Sequence, residues 1–115
     1  MNNNGVHVLA DIYTSAQVSK PDLVELIESA LEISGMSILG RLGHDFGVAD
    51  AFTAMWLLAE SHFTIHTYPE LNYISIDCYT CGHKAKPAQA VAILLDGLEV
   101  TRSSMKIIAR GGVVA

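Results

Sequence analysis

The sequence predicts an α+β protein, a two-layer sandwich in which an antiparallel β-sheet is covered on one face by two helices, in the order β-α-β-β-β-β-α-β. Three observations carry this. Two segments that open near a proline show apolar residues at helical spacing. Six further segments are rich in β-branched and aromatic residues, and four of these follow one another with no helix between them. Strand runs segregated from helices in this way favour antiparallel pairing with the helices gathered on one side.

Val6 to Tyr13 reads as a half-buried strand, with Val6, Val8, Ala10 and Ile12 on one parity. Ser19-Lys20-Pro21-Asp22 starts a helix: Ser19 can cap, the φ of Pro21 is preset for the first turn, and Asp22 lies three residues after the cap. Leu23, Leu26, Ile27, Ala30 and Leu31 then mark one face, and Ser34-Gly35 stops the helix. Ser37 to Phe46 is a strand carrying two weakening glycines, and Phe52 to Glu60 is apolar enough to be central. Ser61 to Thr67 and Tyr73 to Tyr79 are short strands on either side of the turn-like Tyr-Pro-Glu-Leu-Asn. Pro87 opens the second helix, with Val91, Leu94, Leu95 and Leu98 inward, and Val100 to Ala109 is the last strand.

Composition narrows the function classes. A chain of 115 residues is one domain, 1–115. Half the residues are hydrophobic, 17% are charged and mean hydropathy is +0.34, which excludes a disordered chain. The longest apolar runs, Ala54 to Ala59 and Ala90 to Leu95, are far short of the ~18 residues of a membrane span. A formal net charge of −5 argues against nucleic acid, whose phosphates need a basic footprint. Two cysteines and an opening Met-Asn-Asn-Asn-Gly without a secretory pattern lead to an expected cytoplasmic location. High apolar content at this size favours a homodimer or higher homo-oligomer.

The ionisable and nucleophilic groups cluster. Glu60, Ser61, His62, His66, Glu70, Cys78, Cys81 and His83 fall within 24 residues, in and around predicted strands. Cys78-Tyr-Thr-Cys81 is a lone C-x-x-C; a structural zinc site wants a second pair, so no metal is expected. His62 and His66 share a strand face but lie ~13 Å apart, too far for one ion.

Taken together, Glu60-Ser-His, Ile65-His-Thr-Tyr-Pro-Glu70 and Thr80-Cys-Gly82, with Gly5-Val-His7, His44-x-Phe46 and the Pro87 helix, strongly resemble the short prokaryotic class of pyruvoyl-dependent S-adenosylmethionine decarboxylases. The resemblance extends over most of the chain. It implies a carboxy-lyase that yields the aminopropyl donor for spermidine synthesis, with S-adenosylmethionine as its small-molecule partner. Decarboxylating an amino acid needs an electron sink that no ordinary side chain supplies; in this family a pyruvoyl group, made from the chain itself, provides it.

The implied cleavage site is Glu60-Ser61, giving fragments 1–60 and 61–115. The Ser61 hydroxyl attacks the Glu60 carbonyl to give an ester, β-elimination releases the Glu60 carboxylate and leaves dehydroalanine, and hydrolysis with loss of ammonia turns this into the pyruvoyl group at residue 61. Position matching assigns His66 to proton handling in processing and Cys81 to protonating the substrate carbon. The resemblance also implies that Thr53 supports processing through its hydroxyl, that Phe46, Phe63 and Tyr68 form an aromatic wall for adenine, and that Glu70 receives the ribose hydroxyls.

Tyr68 stands where the family usually has Trp, and Ala51-Phe-Thr53-Ala54 replaces a common Gly-Val-Ser-Gly. Two other readings stand beside this one: a decarboxylase of arginine or ornithine on the same scaffold, as the resemblance implies for relatives that keep the pyruvoyl machinery, and an uncleaved, non-catalytic binding partner, against which the intact Glu60-Ser61, His66 and Cys81 set argues. On a flat strand Ser61 and His66 point to opposite faces. They can therefore cooperate only if the chain bends at or just after the Glu60-Ser61 bond.

Overall fold

In the computed structural model, which describes residues 4–111, alternation along β1 (Gly5–Thr14) places Val6, Val8, Ala10 and Ile12 in the core as expected. Helix α1 (Lys20–Ile33) starts where the Ser19 hydroxyl accepts from the Asp22 N–H, with Pro21 in the first turn. It ends at Ser34, followed by Gly35 with φ of 78°. Leu23, Ile27, Ala30 and Leu31 are its buried face. Strands β2 (Ile38–Asp45), β3 (Phe52–Leu58), β4 (Ser61–Tyr68) and β5 (Tyr73–Thr80) form an up-and-down run. Helix α2 (Lys86–Gly97) and β6 (Val100–Arg110) complete the order read from the sequence.

All six strands lie in one sheet, in the order β2-β3-β4-β5-β1-β6, and every neighbouring pair is antiparallel. Both helices cover one face, where Trp56, Phe52 and Phe63 join the residues of β1 and the helices in the core. The other face is open. It carries the opposite parity of the four inner strands: His7 and Asp11 of β1, Met55 and Leu57 of β3, His62, His66 and Tyr68 of β4, Tyr73 and Tyr79 of β5.

Two boundaries differ from expectation. The strand expected over Phe52 to Glu60 stops at Leu58, because Ala59 and Glu60 form a two-residue turn that pairs Leu58 with Ser61. No glycine or asparagine announces that turn. The insert after β4 forms a short 3-10 turn, Pro69–Leu71, closed by Asn72 in the left-handed region at φ of 50°.

Candidate active site

The Glu60-Ser61 bond lies at the tip of the β3–β4 hairpin, and the end of β5 is folded against it. Antiparallel pairing puts Ser61 opposite Thr80, so the residue following β5 reaches the Glu60 carbonyl. Three donors converge there: the Cys81 N–H at 3.0 Å, the Cys81 thiol at 3.3 Å and the Thr80 hydroxyl at 3.4 Å. Thr80 is itself fixed, because it is buried and its hydroxyl accepts from the Gly82 N–H at 2.9 Å. The Glu60 carboxylate lies against Gly82, where a Cβ would come within 2.9 Å of Oε1. Donors aimed at one carbonyl oxygen stabilise negative charge developing on it, as in an oxyanion hole.

Ser61 keeps core parity, and its hydroxyl points to the helix-covered side, 3.8 Å from the Met36 sulfur. His66 is on the open face. Strand β4 pairs regularly with β3 and β5 from Ser61 to Tyr68, so no bend after residue 61 brings the two together. Five residues of strand separate them by ~17 Å.

The far end of β4 holds a different environment. His66 Nδ1 lies 3.2 Å from the Thr53 hydroxyl, which donates to the Ile65 carbonyl. Rings then stack side by side across the open face: Phe46 on His66, His66 on Tyr68, Tyr68 on Tyr73 and Tyr73 on Tyr13, with centroid distances of 4.8–5.9 Å. Phe46, His66, Tyr68 and Glu70 line a cleft of about 410 Å³ with Gln17, Val48, Ala49 and Ala51. The volume suits a small molecule.

Of the residues expected to act together, the fold therefore gathers Glu60, Ser61 and Cys81 at one end of β4. It gathers Thr53, His66, Phe46, Tyr68 and Glu70 at the other. Phe63 joins neither group: it is fully buried, edge-on to Trp56, on the helix side. Cys78 is also fully buried, and burial, with the Asp77 charge adding to it, pushes its thiol up to about 12. Cys81 is exposed, so the C-x-x-C pair splits between core and surface. Thr80 and Gln17 escaped the sequence reading; an ordinary Thr beside a cysteine and a Gln in a loop carry no local signal for their long-range contacts.

The antiparallel sheet backed by two helices thus holds an exposed thiol against the tip of one hairpin and an aromatic cleft at the far end of the same strand. The crystal structure of the adenosylmethionine decarboxylase from Aquifex aeolicus VF5 superposes with a TM-score of 0.87, at 29% identity over 99% of this chain and 96% of that one. The sequence profile of the S-adenosylmethionine decarboxylase family matches residues 6–111. The chain is 42% identical over 113 residues to the S-adenosylmethionine decarboxylase proenzyme of Persephonella marina, covering 95% of this chain and 84% of the relative. It is 41% identical over 111 residues to the proenzyme of a Sulfurihydrogenibium species, covering 93% and 82%. The chain belongs to the S-adenosylmethionine decarboxylase family.

Proposed function

We propose that this protein is a pyruvoyl-dependent decarboxylase of S-adenosylmethionine, activated by cleavage of its own chain at Glu60-Ser61. The observation that carries the reading is the convergence of Cys81 and Thr80 on the Glu60 carbonyl oxygen. In processing, that oxygen takes on charge as Ser61 Oγ attacks the carbonyl carbon, and three donors already surround it. The ester so formed releases Glu60 as a carboxylate when the α-proton of residue 61 is removed.

The residues present fit the pyruvoyl group, since a serine that can serve first as nucleophile and then as leaving group follows the polarised carbonyl. Located at residue 61, the group supplies the electron sink for loss of carbon dioxide. Cys81 Sγ, exposed beside it, holds the proton that returns to the substrate carbon. Glu70 and the rings of Phe46 and Tyr68 bind the adenosine part, the carboxylate by accepting hydrogen bonds from the ribose hydroxyls.

These groups cannot meet within one copy. Tyr68 lies ~23 Å along the strand from Ser61, and His66 faces away from it. The reading therefore includes a dimer in which open faces meet, so that His66, Thr53 and the cleft of one copy complete the Ser61 end of the other. The open face offers Leu42, Met55 and Leu57, exposed apolar side chains that a partner sheet would cover. Cys81 continues the open-face parity of Tyr79 beyond the end of β5. Ser61 is the first residue of β4, next to the Ala59-Glu60 turn, and processing requires it to turn from the helix side towards the partner copy's His66 before the chain is cut.

Competing turnover tests the substrate. One processed preparation given S-adenosylmethionine, arginine and ornithine together should consume the first. Turnover of arginine or ornithine alone would overturn the assignment, because Glu70 would then be pairing with a distal cation.

A further inference from the structure

The two walls of the cleft belong to separate parts of the chain. Residues 46–51, between β2 and β3, supply Phe46, Val48, Ala49 and Ala51, whereas the 3-10 turn supplies Pro69 and Glu70. Both walls are tied to one short stretch, by Gln17 in the connector after β1 and by Lys20 at the start of α1. Gln17 Nε2 donates to the Pro69 carbonyl at 3.2 Å. Three residues later, the Lys20 N–H donates to the Asp50 carboxylate at 3.1 Å, the Lys20 ammonium pairs with Asp45, and the same ammonium lies 5.3 Å above the Phe52 ring. Lys20 thus grips the 46–51 loop at both ends.

That loop needs an external hold. Its own hydrogen bonds are Phe46 N–H to the Ala51 carbonyl and Ala51 N–H to the Val48 carbonyl. Between them Ala49 takes φ of 50°, a left-handed conformation that a Cβ disfavours. A loop with a disfavoured residue at its tip keeps one shape only when its surroundings over-determine it.

We infer that Lys20 is a positioning residue for the substrate cleft, bracing the 46–51 loop at the distance from Glu70 that Gln17 fixes on the other side. The inference rests on the reading that this cleft receives the substrate. Lys20 does not line the cleft, and its contacts are Asp45, Asp50 and the Phe52 ring, none of which takes part in processing. Its effect is therefore on substrate binding, with chemistry and processing untouched.

The test compares wild-type protein with Lys20→Met, Lys20→Arg, Asp45→Asn and Glu70→Ala, measuring KM, kcat and the fraction of chain cleaved. Lys20→Met should raise KM about three- to fivefold, the scale of a partly exposed ion pair. Its kcat and processing should equal wild type, and Lys20→Arg should restore KM. Asp45→Asn should match Lys20→Met, and the double variant should be no worse than either. The KM ratio of Lys20→Met to wild type should fall towards one at about 0.5 M salt as the pair is screened. An unchanged KM in Lys20→Met, or a loss of kcat and processing alongside it, overturns the brace. If Glu70→Ala raises KM while Lys20→Met does not, only the brace has failed; if Glu70→Ala also leaves KM unchanged, the cleft assignment falls with it.

Discussion

Cys81 closes on the carbonyl of Glu60 with both its backbone N–H, at 3.0 Å, and its thiol, at 3.3 Å. On the proposed mechanism, one residue thus polarises the bond to be cut and presents, at the same spot, the proton donor for the later reaction. The neighbouring Thr80 hydroxyl is the third donor to that oxygen. Thr80→Val keeps the buried shape and removes the hydroxyl, so it should slow cleavage about tenfold, the loss of one hydrogen bond in the transition state. Thr80→Ser should cleave near the wild-type rate. The time course of fragment appearance after translation checks both; equal rates for all three chains would remove Thr80 from processing.

Glu70→Ala separates substrate binding from processing. Hydrogen bonds to a charged group contribute ~1.5–3 kcal/mol, so kcat/KM for S-adenosylmethionine should fall by roughly one to two decades. Cleavage uses the Glu60 carbonyl, Ser61 and His66 and no atom of Glu70, so it should proceed normally. A variant that stops cleaving would instead place Glu70 in the folding or processing of the chain.

Mixed dimers test the sharing of residues. Ser61→Ala and His66→Ala chains should each fail to process when expressed alone. Co-expressed with distinguishable tags and purified through both, they should yield a dimer with one intact site, cleaved fragments from the His66→Ala chain only, and measurable decarboxylation. A mixed dimer with no cleavage would show that each copy must carry both residues.

The two cysteines should behave oppositely. Cys81 should react readily with an alkylating reagent, and its loss should abolish turnover; Cys78 should react only after unfolding. The raised Cys78 value also has a stability consequence. The folded thiol holds its proton up to about 12, while the unfolded one releases it near its ordinary 9.0. Its contribution is therefore complete below pH 9 and is lost as pH rises from there to 12. Urea unfolding of wild type and Cys78→Ala at pH 7 and pH 10 checks this: the gap between them should narrow at the higher pH.

The order of elements was legible because periodicity and caps are local. The inward parity of β1 and the Ser19–Pro21 start of α1 need only neighbouring residues to be seen. The end of β3 was not, since Ala59-Glu60 turns without the residues that usually mark a hairpin. The Glu60, Ser61, His66 and Cys81 motif could be recognised from the sequence, but its division between two ends of β4 could not. That division depends on an unbroken strand, which alternation alone cannot distinguish from a bent one. Phe63 shows the same limit: its odd parity on β4 sends it to Trp56 rather than to the rings of Phe46 and Tyr68.

The account stands most directly on the intact mass of the freshly purified chain, recorded on the preparation that releases labelled carbon dioxide from carboxyl-labelled S-adenosylmethionine. The prediction is two fragments, 1–60 and 61–115, the second without a free amine and shifted in mass by hydroxylamine, and formal charge one unit more negative than the uncut −5. Ser61→Ala should remain whole and release nothing. A single uncut chain that decarboxylates S-adenosylmethionine would contradict the account.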